Sequence, residues 1–259
     1  MTVALHGARP ARSVVVRPSV RSIAAHLASK RTPCLRSSSR RSVTRRLLLL
    51  CHANIARSAA AELIARRLIG TGHAAHVEPE WDVSSAGVRA LVGHPIDSEI
   101  GDALRRRSIS VRGHVARQAT PADLRGAQLI LAFESAHRSW VLEQEPAVRN
   151  RTFTVLRAAR VLRRAARRRE TPDQAIQALV ADARAYTEAD DFADPYGLGV
   201  EAAETAVERI DELLRIILPM IGSVSADAMP PKARPLPTRR SQRHSAEHVL
   251  VGSAGSGER

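Results

Sequence analysis

The chain has 259 residues, 40 Lys+Arg against 26 Asp+Glu and a formal net charge of +14, a length that buries a sizeable core as one domain with tails or as two small domains. Two cysteines exclude a disulfide framework and fit a reduced, cytoplasmic protein, and no apolar run reaches the ~18 residues of a membrane helix, so no membrane partner is expected. Residues 1–46 carry eleven basic and no acidic side chains and residues 223–259 six and three, so the basic excess belongs to the ends.

Residues 1–44 are Arg, Ser, Pro and Val without lasting periodicity and read as a disordered basic extension. They lack a coherent apolar stretch before a cleavage site, so no secretory signal is read. An organelle transit peptide and a misplaced start codon account for their composition equally well. Cys34 lies here with Arg40 six positions on, but no apolar strand precedes it and no amphipathic helix follows Arg40.

Residues 45–50 end in four leucines and read as a buried parallel strand, and SAAAELIARRL from Ser58 reads as a helix to about Ile69, closed by Gly70 and Gly72. Between them lies the loop CHANIAR, residues 51–57. A strand, a short loop and a helix N-terminus hold an anion on inward-facing amides, reinforced by the helix dipole. In that field Cys51 is favoured as the thiolate, the nucleophilic form, and Arg57 can return over the loop to bind two oxygens of a tetrahedral anion. Ser58 can cap amides or hydrogen-bond the sulfur. The chemistry this suggests is attack on phosphorus.

Residues 80–86 read as a second strand closing on Gly87. His94-Pro95 begins a helix through 107, residues 110–118 connect, and Thr120-Pro121 is an N-cap with proline at the first helical position. Residues 128–133 form a third strand, residues 134–145 a helix stopped by Pro146, and residues 152–156 a short fourth strand. Residues 157–169 hold seven arginines; nucleic-acid binding is one reading, but without interleaved aromatics a solvated basic helix face is preferred. Thr171 caps a helix to about Tyr186. An acidic loop follows, then a last helix over 201–218 with Val207, Ile210, Leu213, Leu214 and Ile217 in one apolar stripe, and a Pro/Arg/Ser-rich tail that reads as disordered.

Strands alternating with helices predict an α/β fold: a three-layer arrangement with a four-stranded parallel sheet flanked by helices, between disordered basic termini. The expected division is 1–44 extension, 45–219 domain and 220–259 tail. The site is expected at the carboxyl ends of the strands. The basic tails are read as contacts for nucleic acid or an acidic partner, and no metal site is read from His94 and His114. His52 is expected to point to solvent.

CHANIARS at 51–58 after a leucine strand, SSAG at 84–87, GHP at 93–95, LILAF before a helix and DPYG at 194–197 together resemble the low-molecular-weight protein tyrosine phosphatase family over about residues 45–218. The resemblance implies a protein-tyrosine or aryl phosphate monoesterase that needs no cofactor and works through a phosphocysteine. Cys51 would attack phosphorus, while Arg57 and the loop residues His52, Ala53, Asn54, Ile55 and Ala56 hold the oxygens, with Asn54 bracing the loop. Ser58 would support the thiolate, Asp194 would be the general acid, and Tyr196 would stack on the substrate ring; read from the residues alone, Asp194 is as well a turn residue.

The family has glycine where Ala53 sits, where a left-handed backbone would be costly for alanine, a second cysteine where Ala56 sits, and proline where Ala59 sits. It commonly places an aromatic wall near Leu91. Two alternatives stay open: an arsenate reductase on the same framework, which needs further cysteines, and a catalytically weak phosphate-binding module.

Overall fold

The computed structural model describes residues 45–71, 81–182, 185–222 and 224. The expected basic extension 1–44 with Cys34, the helix-ending Gly72 and the tail from 225 onward lie outside these residues. The elements run β1 (Arg45–Cys51), α1 (Arg57–Gly70), β2 (Trp81–Gly87), α2 (Ser98–Arg106), α3 (Pro121–Gly126), β3 (Leu129–Ala132), α4 (Ser135–Gln144), β4 (Thr152–Thr154), α5 (Val155–Arg167), α6 (Pro172–Ala181) and α7 (Val200–Gly222).

The four strands form one parallel sheet in the order β2-β1-β3-β4. Alternation along β1 divides the core: Leu47 and Leu49 join α1, α5 and α7 on one face, while Leu48 and Leu50 join Leu124, Ile130, Val141 and Val148 on the other. A strand covered on both faces must be apolar at every position, which is why the leucine run reads as continuous. The result is the expected three-layer α/β fold.

Several boundaries move for local reasons. The helix expected from His94-Pro95 starts at Ser98, because the Asp97 side chain accepts from the Ile100 N–H at 3.1 Å and fixes the cap there. The fourth strand stops at Thr154, whose hydroxyl caps α5, and α6 ends at Ala181 rather than near Tyr186. The last helix passes through Pro219 to Gly222. An interior proline costs about 3 kcal/mol, but Leu218 and Ile221 are fully buried beside it, and their burial offsets that loss.

The solvated-face reading of the arginine helix fails on one side. Arg157 is buried on Asp190, at 2.8 Å, and its guanidinium lies 3.5 Å from the centroid of the Tyr186 ring. Arg160 reaches the other Asp190 oxygen at 2.7 Å. Burial alone would raise the Asp190 carboxyl, but hydrogen bonds from Arg157, Arg160 and the Thr187 N–H hold it below the ordinary carboxylate value.

Candidate active site

β1 delivers Cys51 to the carboxyl edge of the sheet, and the chain turns through residues 52–56 before α1. All six carbonyls from Cys51 to Ala56 are hydrogen-bonded outward. They accept in turn from Val88 N (2.9 Å), Arg89 N (2.9 Å), Leu91 N (3.0 Å), His114 Nε2 (2.8 Å), Asp97 N (2.8 Å) and Ala60 N (2.8 Å). A carbonyl cannot donate, so His114 carries its proton on Nε2. With the oxygens turned out, the amides of residues 52–56 turn in, and they meet no protein acceptor among the described residues. No side chain caps α1. The loop therefore presents a bowl of donors at a helix N-terminus, suited to a tetrahedral anion.

Asn54 is the keystone of the loop. It is fully buried and takes φ +61°, the left-handed region. Ala53 is not among the described residues with positive φ, so the strain expected at alanine does not arise: the turn falls one residue later, on a side chain that tolerates it. Asn54 Oδ1 accepts from the Arg117 backbone N–H at 3.0 Å, which can only donate, and this fixes the amide orientation. Nδ2 then donates to Ser58 Oγ at 3.0 Å and to Ser85 Oγ at 2.8 Å. Ser58, already accepting from Asn54, is left to donate to Cys51 Sγ, 2.9 Å away. Of its two anticipated uses, Ser58 serves the sulfur. The relay ends where Ser85 Oγ donates to Glu62, which pairs with Arg66 at 2.6 Å.

Gly87, at the end of β2, backs this loop. A Cβ there would lie 2.6 Å from the His52 carbonyl oxygen and 2.9 Å from Ala90 Cα. Only glycine admits that approach.

Arg57, the first residue of α1, is 2% exposed and held from three sides. Its Nη1 donates to Glu134 and to the Phe192 carbonyl, the latter at 2.9 Å, and Nη2 donates to Asp194 Oδ2 at 2.7 Å. Asp194 Oδ1 accepts from the Tyr196 N–H at 3.3 Å. The acidic loop is pinned upstream of Asp194: Asp191 accepts from Ser135 N at 2.6 Å, and Phe192 N donates to the Phe133 carbonyl at 2.8 Å.

His137, one turn into α4, is buried with a Glu134 oxygen 3.7 Å from its Nε2. Its burial, with Arg57 nearby, outweighs Glu134 and lowers its pKa to about 4, so the ring is neutral at physiological pH.

The bowl opens into a pocket of about 210 Å³, lined by Cys51, His52, Ala53, Ile55, Ala56, Arg57, Arg89, Leu91, Asp194 and Tyr196. Leu91 and Tyr196 are the exposed large hydrophobic residues of its lining. His52 is exposed, its ring 6.3 Å from that of His137. Of the candidate site residues read from the sequence, Cys51, His52, Ala53, Ile55, Ala56, Arg57, Asp194 and Tyr196 line this one pocket, and Asn54 and Ser58 stand behind Cys51. Sequence reasoning missed Glu134, His137, Ser85, Arg89 and Arg117. Two carried a signal: Ser85 inside the SSAG stretch at 84–87, and Glu134 as the first polar residue past the carboxyl end of β3.

A family model for low molecular weight phosphotyrosine protein phosphatase matches residues 46–160. The low molecular weight protein-tyrosine-phosphatase Etp of Escherichia coli K12 is 36% identical over 107 residues, covering 41% of this chain and 66% of Etp. Wzb of the same organism, with the same family name, is 33% identical over 107 residues, covering 41% of this chain and 67% of Wzb. The chain thus spans about two thirds of the length of these relatives. A solved low molecular weight protein tyrosine phosphatase from T. tengcongensis superposes with a TM-score of 0.51 at 26% identity, covering 67% of this chain and 97% of that one. Asp194 and Tyr196 lie beyond the family-model match.

Proposed function

Since the chain belongs to the low molecular weight phosphotyrosine protein phosphatase family, we propose that it hydrolyses phosphotyrosine in proteins and small aryl phosphates through a phosphocysteine, in the cytoplasm and without metal or cofactor. The observation that carries this reading is the Ser58 hydroxyl 2.9 Å from Cys51 Sγ, at the floor of a bowl of inward amides that Arg57 and Asp194 close.

In the first step the Cys51 thiolate attacks phosphorus and the phosphorus–oxygen ester bond breaks. Loop amides and the Arg57 fork hold the equatorial oxygens as their charge develops. The phosphate oxygens take over the Arg57 Nη2 donor that Asp194 shares, and the protonated Asp194 passes its proton to the leaving phenolate. In the second step the Asp194 carboxylate removes a proton from water, the water oxygen attacks phosphorus, and the sulfur leaves as thiolate with Ser58 donating to it. Inorganic phosphate is released.

The test is hydrolysis of para-nitrophenyl phosphate, with EDTA present, by the wild type, Cys51→Ser and Asp194→Ala. The wild type should turn over, Cys51→Ser should be inactive, and Asp194→Ala should lose about 100-fold or more in kcat. A wild type that binds vanadate without hydrolysing the ester, or a Cys51→Ser variant that retains activity, overturns the reading.

A further inference from the structure

The pocket at Cys51 is the end of a longer track. Asp194 lines both that pocket and an apolar groove of about 590 Å³ formed by Phe192, Pro195, Leu198, Ala202 and Ala206. Leu156 and Arg209 in turn line both this groove and a third depression of about 440 Å³, between α5 and α7, whose walls include Arg160, Arg163, Arg164 and Arg167. Arg160 is engaged by Asp190, and Arg209 by Glu212 at 2.7 Å. Arg163, Arg164 and Arg167 are exposed and form no ion pair among the described residues. The N-terminal turn of α5 thus neutralises its charge on Asp190, and the turns that follow concentrate guanidinium groups in a concavity.

We propose that this track docks phosphoprotein substrates in which a short apolar stretch separates the phosphotyrosine from a run of acidic residues. The inference rests on the phosphatase reading and adds to it the class of peptide accepted. The tyrosine phosphate enters the Cys51 bowl, apolar side chains cover Pro195 and Leu198, and carboxylates bind the free guanidinium forks of α5. Charge complementarity selects the occupant: clustered arginines without acidic partners repel one another until an anion arrives, and a concave wall focuses their field.

The experiment uses the full chain with four phosphotyrosine peptides, in which a leucine spacer and then either four glutamates or four glutamines lie on one side or the other of the tyrosine. The wild type should favour the glutamate peptide in one orientation by about tenfold in kcat/KM, as three exposed ion pairs allow, and added salt should erase the preference. The triple variant Arg163→Glu, Arg164→Glu, Arg167→Glu should lose it while hydrolysing para-nitrophenyl phosphate at the wild-type rate. Equal use of all peptides, or a preference that survives in the triple variant, overturns the inference and leaves the phosphatase reading standing. Loss of para-nitrophenyl phosphate hydrolysis in the wild type overturns both. A short single-stranded oligonucleotide that binds the wild type, not the triple variant, and blocks the glutamate and glutamine peptides alike would make the groove a nucleic-acid site and overturn the inference.

Discussion

Asp190→Asn removes one charge from the most deeply buried ion pair among the described residues while keeping the side-chain shape. In the wild type both Asp190 and Arg157 are 1% exposed, and the carboxylate receives Arg157 Nη2 at 2.8 Å, Arg160 Nη2 at 2.7 Å and the Thr187 N–H at 3.2 Å. An amide at that place turns an NH2 group toward donors and leaves the Arg157 charge with the Tyr186 ring and the Ala185 carbonyl. Breaking one partner out of a buried pair costs about 3–5 kcal/mol, a large part of the 5–15 kcal/mol typical of a domain. Urea unfolding followed by circular dichroism should show the midpoint falling with little change in slope, and the melting temperature should drop by about 10 °C.

The pH dependence carries a second signature. The folded-state pKa of Asp190 lies below its ordinary 3.8, so the unfolded chain binds more protons in the acid window. The stability from this carboxylate is complete above the ordinary value and disappears as pH falls through the folded one. Wild type and Asp190→Asn should therefore converge in stability at the acid end. Adding Arg157→Met to Asp190→Asn should restore most of the loss, because no uncompensated charge then remains. A loss below about 1 kcal/mol for the single variant, or strict additivity in the double one, would falsify this account of the pair.

Three further outcomes follow from the site. Asn54→Ala should cost about 3–4 kcal/mol, from three buried hydrogen bonds and the left-handed backbone, and depress para-nitrophenyl phosphate turnover; Asn54→Gly should recover part of the stability and none of the turnover, and equal behaviour of the two would count against the relay to Cys51. Gly87→Ala, whose Cβ has no room against the His52 carbonyl, should lower vanadate affinity measured by inhibition and stability by about 1–3 kcal/mol; unchanged inhibition would show that the loop does not lean on β2. His137, with its pKa lowered from 6.5 to about 4, binds protons in the unfolded chain before the folded one, so it weakens the fold as pH drops from 6.5 towards 4. In His137→Gln that slope should flatten, and NMR of the wild type should find the ring neutral at pH 6; a ring titrating near 6.5 would contradict its burial.

Much of the site was legible because its chemistry is contiguous. Strand, loop and helix N-terminus occupy residues 45–70, and the leucine run, the Cys51–Arg57 spacing and the Ala-rich helix announce one another through local propensity and the geometry of helix ends. The parallel sheet followed from alternating elements, and the α7 stripe from its period. What sequence alone left open involves partners far apart in the chain: Arg57 with Glu134 and Asp194, 77 and 137 positions away, or Asn54 with Ser85 and Arg117. Asp194 read equally well as a turn residue and as an acid, and only the fold brings its carboxylate to Arg57, at 2.7 Å. The left-handed residue was misplaced by one, because φ at 53 and 54 depends on which carbonyls β2 and the 91–97 loop can reach. The arginines of α5 divide into buried and free sets according to where Asp190 falls. Periodicity and propensity act over a few residues and are written in order along the chain, whereas these pairings are set by packing, which brings together groups that nothing in the linear sequence connects.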